Sequence, residues 1–415
     1  MTGKTAEKEG ISSNIWKIYT FSFIDAFILY LPFIVYYFQE IGFNLPKIMI
    51  MSAATTATVL LTEIPSGYIA DRVGRRNSLV ISVLCHVISM AFLYSSTSYS
   101  MLIIAHVFLG LASTFFSGAD SALIYDTLAV LKREKEYSRF QGKAIFFSEM
   151  GIITSALAGS GLIALGTSIR STILFTLAIH AALLLFMLTI KEPPRQKLIE
   201  PLPMRKEFSM LGRIVKESVS HRKLMGLFIY SFLVMGFSNT IFIIYQPYFR
   251  ATDLPIGNFG IVFAVFSIVT AFAALKAHNM EKRLGIYYSL LIMPVLIILS
   301  YFGAGAFFLW FGFIFFFFRE FVRGFVFPVL SDYTNRITSS ERRATVLSIS
   351  GMFSRLGYMI ISVSFGFLSE NTSLRYALIT AGAVLTILTI IIVSLVKRPK
   401  TDEPLPRRKI GYPQP

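Results

Sequence analysis

About twelve apolar windows, each roughly twenty residues or longer, follow one another from residue 16 to residue 396, separated by short polar clusters. A helix needs about 20 residues to cross ~30 Å of hydrocarbon. Inside lipid only helices and closed barrels satisfy their own backbone, and windows of this length fit helices. Composition agrees. The 415 residues are 54% hydrophobic and 15% charged, with a mean hydropathy of +0.65. An ordinary soluble domain carries about 25% charged residues. The pattern predicts an all-α membrane protein with 12 transmembrane helices. The predicted spans are 16–38, 47–70, 77–97, 100–128, 140–165, 169–190, 226–249, 255–277, 284–305, 307–333, 343–368 and 374–396. The chain opens on polar residues (Lys4, Glu7, Lys8, Glu9), so the first span is expected to serve as its own insertion signal. Cys85 is the single cysteine, which excludes an intrachain disulfide framework and fits a small packing residue.

The net charge of +16 is distributed by side. With the N-terminus inside, the inner segments collect 32 Lys and Arg and the outer ones 4 (Lys47, Arg170, Arg250, Arg375). That asymmetry predicts cytosolic termini in a cell membrane, and it accounts for the basic balance through lipid headgroups rather than nucleic acid. The longest polar stretch, 191–225, holds four prolines and nine cations, with an amphipathic segment at Phe208–Val219. It divides the chain into a six-helix bundle over 1–190 and a second over 226–397, followed by a tail at 398–415.

The two parts echo each other. Phe147-Ser148-Glu149-Met150-Gly151 reads like Phe353-Ser354-Arg355-Leu356-Gly357, and Gly118 and Asp126 match Gly324 and Asp332 at the same offset. Ser22-Phe23-Ile24 resembles Ser231-Phe232-Leu233 at nearly the same spacing. Six helices followed by six in the same orientation predict a parallel repeat about an axis along the membrane normal, with a substrate path between pseudosymmetric bundles.

The most specific motif lies between the second and third spans: Gly67-Tyr68-Ile69-Ala70-Asp71-Arg72-Val73-Gly74-Arg75-Arg76. Here Gly67 is expected to let helices approach and Gly74 to permit a tight turn. Asp71 is expected to cap the third helix, and Arg75 and Arg76 to pair with acids such as Asp126. This loop resembles the signature of the major facilitator superfamily, and the resemblance covers nearly the whole chain. It implies that fold, a transport role, and a cytosolic latch built from the loop, with Glu63 and Arg72 joining it. The bland alternative is a loop that fixes topology by charge. The second-half loop keeps only Arg283-Leu284-Gly285. Proton-coupled drug exporters of the family often carry an arginine in helix four where this chain has His106. The histidine is open to two readings, proton relay or packing. The fifth span also lacks the Gly-Pro pair typical of antiporters.

Charges inside the spans need partners or a wet cavity. The candidates near mid-membrane are Asp25, Asp120, Glu149, Arg319, Glu320, Arg323 and Arg355. Asp25 sits near mid-membrane in the first span, which lines the cavity in the resembled family, and is the favoured proton or substrate group. Arg319, Glu320 and Arg323 form either a fork for an anionic substrate group or a buried ion-pair cluster. Glu149 and Arg355, equivalent in the repeat and opposite in sign, are candidates for a gate or for static pairing within each half.

The function expected is secondary active transport of a small organic molecule, with proton-linked export as the leading form. The alternatives are uptake or facilitated diffusion of a metabolite, and a receptor that keeps the fold without transport. No Walker-type loop, HExxH or GxSxG motif is present, so neither ATP hydrolysis nor lipid enzymology is expected. No cofactor and no metal is expected, and the resemblance implies a monomer.

Overall fold

The computed structural model describes residues 10–194, 220–338 and 343–395, with isolated positions 212, 215 and 218. The residues before 10, most of the segment Phe208–Val219 and the tail 398–415 lie outside the described residues. Every regular element among the described residues is helical. The helices are α1 (Asn14–Asp25), α2 (Ile34–Glu40), α3 (Leu45–Val73), α4 (Arg75–Ser95), α5 (Tyr99–Phe116), α6 (Ala119–Val130), α7 (Tyr137–Ala164) and α8 (Ile169–Met187). They continue as α9 (Arg222–Tyr230), α10 (Gly236–Ala251), α11 (Phe259–Ala306), α12 (Phe316–Ile337), α13 (Arg343–Asn371) and α14 (Leu374–Leu395).

Nine helices among the described residues are long and apolar enough to cross a membrane. One of them, Ile256–Ala306, is 51 residues long and turns at Gly285, which makes it two spans' worth of helix. Adding the interrupted first span and the charge-bearing α12 is consistent with twelve crossings.

Local chemistry explains the departures from the expected spans. The first span is not continuous over 16–38: α1 ends at Asp25, and a 3-10 turn at Leu31–Phe33 precedes α2. Pro32 stands within that turn, and proline lacks the N–H a continuous helix needs. The fourth span divides at Gly118, whose φ of 78° starts α6 afresh. Span ten starts at Phe316, behind a short 3-10 turn at Gly312–Phe315. A π-helical turn, Ser231–Met235, joins α9 to α10.

The chain forms two compact units. The first contains Met1–Leu202, Ile243–Ile268 and Gly366–Asn371. Its core gathers Ile18 and Phe21 of α1, Leu79 and Val83 of α4, Leu123 and Leu128 of α6, and Leu183 and Met187 of α8. The second contains Pro203–Phe242, Val269–Phe365 and Thr372–Pro415. A core there joins Leu224, Leu227 and Phe228 of α9 to Ile337, Val346 and Ile349, with Phe353 stacked on Phe228 at 5.1 Å.

The repeat read from sequence has a direct packing counterpart. A Cβ added at Gly151 would lie 2.3 Å from the carbonyl oxygen of Phe23, and one at Gly357 would lie 2.0 Å from that of Phe232. Both matched pairs, Gly151 with Gly357 and Phe23 with Phe232, therefore make the same helix crossing in each unit. The two loops also turn alike, with Gly74 at φ 116° and Gly285 at φ 75°. Gly118 and Gly324 do not correspond in conformation. Gly324 lies inside continuous α12, where it lets the backbone approach Thr270 of α11.

Candidate functional site

The break in the first span leaves backbone groups at membrane depth without helical partners, and each such group is costly there. Side chains from other helices of the first unit supply the partners. The Leu29 N–H donates to Thr176 Oγ1 at 3.2 Å. Gln246, 2% exposed, accepts from the N–H groups of Val35 (2.7 Å) and Tyr36 (3.1 Å) through Oε1. Its Nε2 donates to the Leu31 carbonyl at 2.9 Å. The last helical residue of α1, Asp25, turns its carbonyl oxygen to His180 Nε2 at 3.2 Å.

His180, fully buried on α8, also bonds the Thr176 carbonyl through Nδ1 at 3.0 Å. Its ring meets that of His86 of α4, with centroids 4.7 Å apart and planes at 71°. His86 is 8% exposed, and its Nε2 has no hydrogen-bond partner among the described residues. One ligand atom each from Asp25, His86 and His180 lie within 4.8 Å of one another. Asp120, in the first turn of α6 behind the Gly118 break, is close enough for its charge to act on Asp25. The first and fourth spans thus both break beside a carboxylate.

The charged cluster of the second unit is built differently. Arg319 and Glu320, 3% and 1% exposed, form a direct ion pair on α12. Thr270 Oγ1 donates to Glu320 Oε2 at 2.7 Å, and Arg319 Nε donates to the Ser238 carbonyl at 3.0 Å. The Arg319 guanidinium stands 5.6 Å from the centre of the Phe242 ring. Arg323 is 32% exposed, and its Nε lies 3.5 Å from Glu320 Oε2. This is the ion-pair arrangement, with partners drawn from α10, α11 and α12.

The loop motif folds as a charged knot. Asp71 pairs with Arg75 at 2.8 Å. Glu192 caps α4: its two carboxylate oxygens accept from the N–H groups of Arg75 and Arg76, both at 2.8 Å. A carboxylate there suits the positive end of the helix. Arg76 donates to the Leu188 carbonyl at 2.9 Å, and Arg72 lies over the Tyr68 ring. Gly74 makes the tight turn as expected, whereas a Cβ at Gly67 would meet nothing within 4 Å, so Gly67 is not a close-approach glycine. Glu63 lies on α3 and gives its carbonyl to the Ser66 hydroxyl, and Asp126 lies on α6.

His106 bonds the Leu102 carbonyl of its own helix at 2.8 Å and packs near Phe38, the arrangement of a packing histidine. Glu149 lies on α7 and Arg355 on α13, in different units. The sequence reading passed over His86, His180, Gln246 and Glu192. Polar residues inside apolar windows were the available signal for the first three.

Comparison with known proteins follows the same lines. The family model described as Major Facilitator Superfamily matches residues 15–318 and 227–415. The uncharacterized MFS-type transporter YxaM of Bacillus subtilis (strain 168) is 23% identical over 404 residues, covering 95% of this chain and 94% of that one. Among solved structures, the nucleoside transporter NupG is similar with a TM-score of 0.78 at 16% identity, covering 93% of this chain and 99% of its own. The peptide transporter POT in complex with sulfate gives a TM-score of 0.71 at 13% identity, covering 92% and 94%.

Proposed function

Because this chain belongs to the major facilitator superfamily and is a multi-pass membrane transporter, we propose that it exports a small organic molecule by alternating access, in exchange for protons across the cell membrane. The observation that carries this reading is the broken first span. Irregular backbone at membrane depth is tolerated where protein buries it or where it lines a watered cavity, and transporters build substrate and ion sites at such breaks. Here the break begins where α1 ends at Asp25, and the fourth span breaks at Gly118, two residues before Asp120. Two membrane-embedded carboxylates close enough for the charge of one to act on the other suit a proton as the coupling ion. The ion-pair cluster around Glu320 supports a structural role for the charges of the second unit, and Arg323, the more exposed cation, is the group there able to meet an anionic substrate group.

Both termini are assigned to the cytosol by the 32 inner against 4 outer cations. The relatives named as nucleoside and peptide transporters make nucleosides and short peptides sensible first compounds, alongside amphipathic organic molecules. The test is flux into and out of proteoliposomes under an imposed pH gradient. Compound movement opposite to the proton gradient, with pH change inside the vesicle, is the expected result. Flux indifferent to the gradient would replace exchange by facilitated diffusion, and binding without flux would replace transport by reception.

A further inference from the structure

We propose that Asp25, His86 and His180 form a binding site for a divalent transition metal of the zinc class. A neutral His180 has one ring proton for two facing carbonyl oxygens, that of Thr176 at 3.0 Å from Nδ1 and that of Asp25 at 3.2 Å from Nε2, so one ring nitrogen is left opposite an acceptor. Two acceptors facing each other call for a cation between them. One ligand atom from each of Asp25, His86 and His180 lies within 4.8 Å of the others, and His86, nine-tenths buried, keeps an Nε2 with no hydrogen-bond partner among the described residues. Asp25 is also the last residue of α1, so the negative end of that helix favours positive charge there.

The donor set fits the ion. Two imidazoles and one carboxylate, with an open position for water or for the Asp25 carbonyl, are ordinary ligands for zinc, cobalt or nickel. The Thr176 carbonyl acts as the outer partner that metal-bound histidines usually have, fixing which ring nitrogen ligates. Ligand atoms around a tetrahedral zinc stand about 3.4 Å apart, so closing from 4.8 Å asks side-chain movements of on the order of 1 Å. Bound metal would tie the end of α1 to α4 and α8. Sequence spacing could not suggest the site, because its ligands come from residues 25, 86 and 180. The inference concerns binding alone; it shares Asp25 with the proposed proton site, and its test reads metal rather than flux.

The test uses tag-free, full-length protein in detergent, titrated with Co2+. The expected result is the visible ligand-field absorption of low-coordinate cobalt, saturating at one ion per chain and displaced by Zn2+, with a rise in melting temperature as binding selects the folded state. Replacing His86→Ala should weaken binding by more than the roughly 10- to 100-fold that loss of an outer partner costs, while His278→Ala and His221→Ala should leave it unchanged. Absence of the absorption in wild type overturns the proposal, and so does binding that survives His86→Ala or is lost with His278→Ala. Should His86→Ala fail to fold, X-ray absorption of zinc-loaded wild type decides. Two imidazoles in the zinc shell are expected, and one or none overturns the site.

Discussion

Glu320 and Asp25 are both carboxylates on membrane-spanning segments, yet their surroundings are opposite in kind. Glu320 has a guanidinium beside it, a threonine hydroxyl on its second oxygen and a second arginine one turn away. Its charge is answered on the spot. Asp25 ends a broken helix among two histidines and, through its field, a second carboxylate. The first arrangement answers a charge with a fixed counter-charge, whereas the second sets a carboxylate among imidazole nitrogens. The contrast teaches that an intramembrane charge is not by itself a functional mark; the completeness of its partners decides.

The largest expected effect tests the closed cluster. Glu320→Gln leaves Arg319 buried without its counter-charge, and breaking such a pair costs about 3–5 kcal/mol. Thermal melts in detergent should show a strongly destabilised or poorly recovered protein. The double replacement Arg319→Met with Glu320→Leu should be clearly milder, since neither charge is then stranded. If the single variant melts like wild type, Glu320 is not held as the geometry describes and the contrast with Asp25 fails.

The next effect asks whether the two units share one frame under these different charges. Gly151→Ala and Gly357→Ala each push a methyl against a backbone carbonyl, at 2.3 Å from Phe23 and 2.0 Å from Phe232. Overpacking of this sort costs about 1–3 kcal/mol, and backbone yields less readily than a side chain. Similar losses in the two variants would place the difference between the units in their charges alone. Gly67→Ala serves as the control, because its methyl enters open space. A loss at Gly67 equal to the other two would show that melting reports helix propensity rather than these crossings.

Much of that frame was legible in the sequence, because hydropathy, cation asymmetry and the short repeats each act over one helix or one loop. The Gly151–Phe23 and Gly357–Phe232 crossings even recover the matched segments residue by residue. The turn at Gly74 was legible for the same local reason. What escaped was set by tertiary neighbours. The cap on α4 comes from Glu192, 117 residues along the chain from Arg75. The break after Asp25 is stable because Thr176, His180 and Gln246 answer its backbone, and no window of twenty residues contains that information. His106 stands at a family position, while His86 and His180 lie in equally apolar windows and carry the same cost of a polar group in lipid.

A smaller effect separates stability from function at the open cluster. Asp25→Asn removes a carboxylate set beside imidazoles rather than a guanidinium, so the melting curve should move by less than the equivalent of about 1 kcal/mol, the usual range for a substitution without a stranded partner. Transport should nevertheless fall by on the order of tenfold or more, which is about 1.4 kcal/mol in rate. Proteoliposome flux beside melting on the same preparation gives both numbers. Loss of stability comparable to that of Glu320→Gln would make Asp25 a structural charge like its counterpart.

The smallest effect compares the loop ends, where the first unit pairs Asp71 with Arg75 and the second groups Glu281, Asp332 and Arg336. Burial pushes the Glu281 carboxyl above its ordinary range, and a hydrogen bond with Asp332 and the charge of that residue push the same way, with Arg336 opposing. A carboxyl raised in the folded state stabilises most when protonated. Its contribution is therefore complete below the ordinary glutamate range and fades as pH rises through the raised value. Melting temperature followed from mildly acidic to neutral pH should decline slightly in wild type. In Glu281→Gln that component of the slope should vanish, because glutamine keeps a neutral side chain throughout. An unchanged slope would mean that Arg336, 3.1 Å away, fully offsets the burial. The second loop would then be as well paired as the first, and the two units would differ only within the membrane.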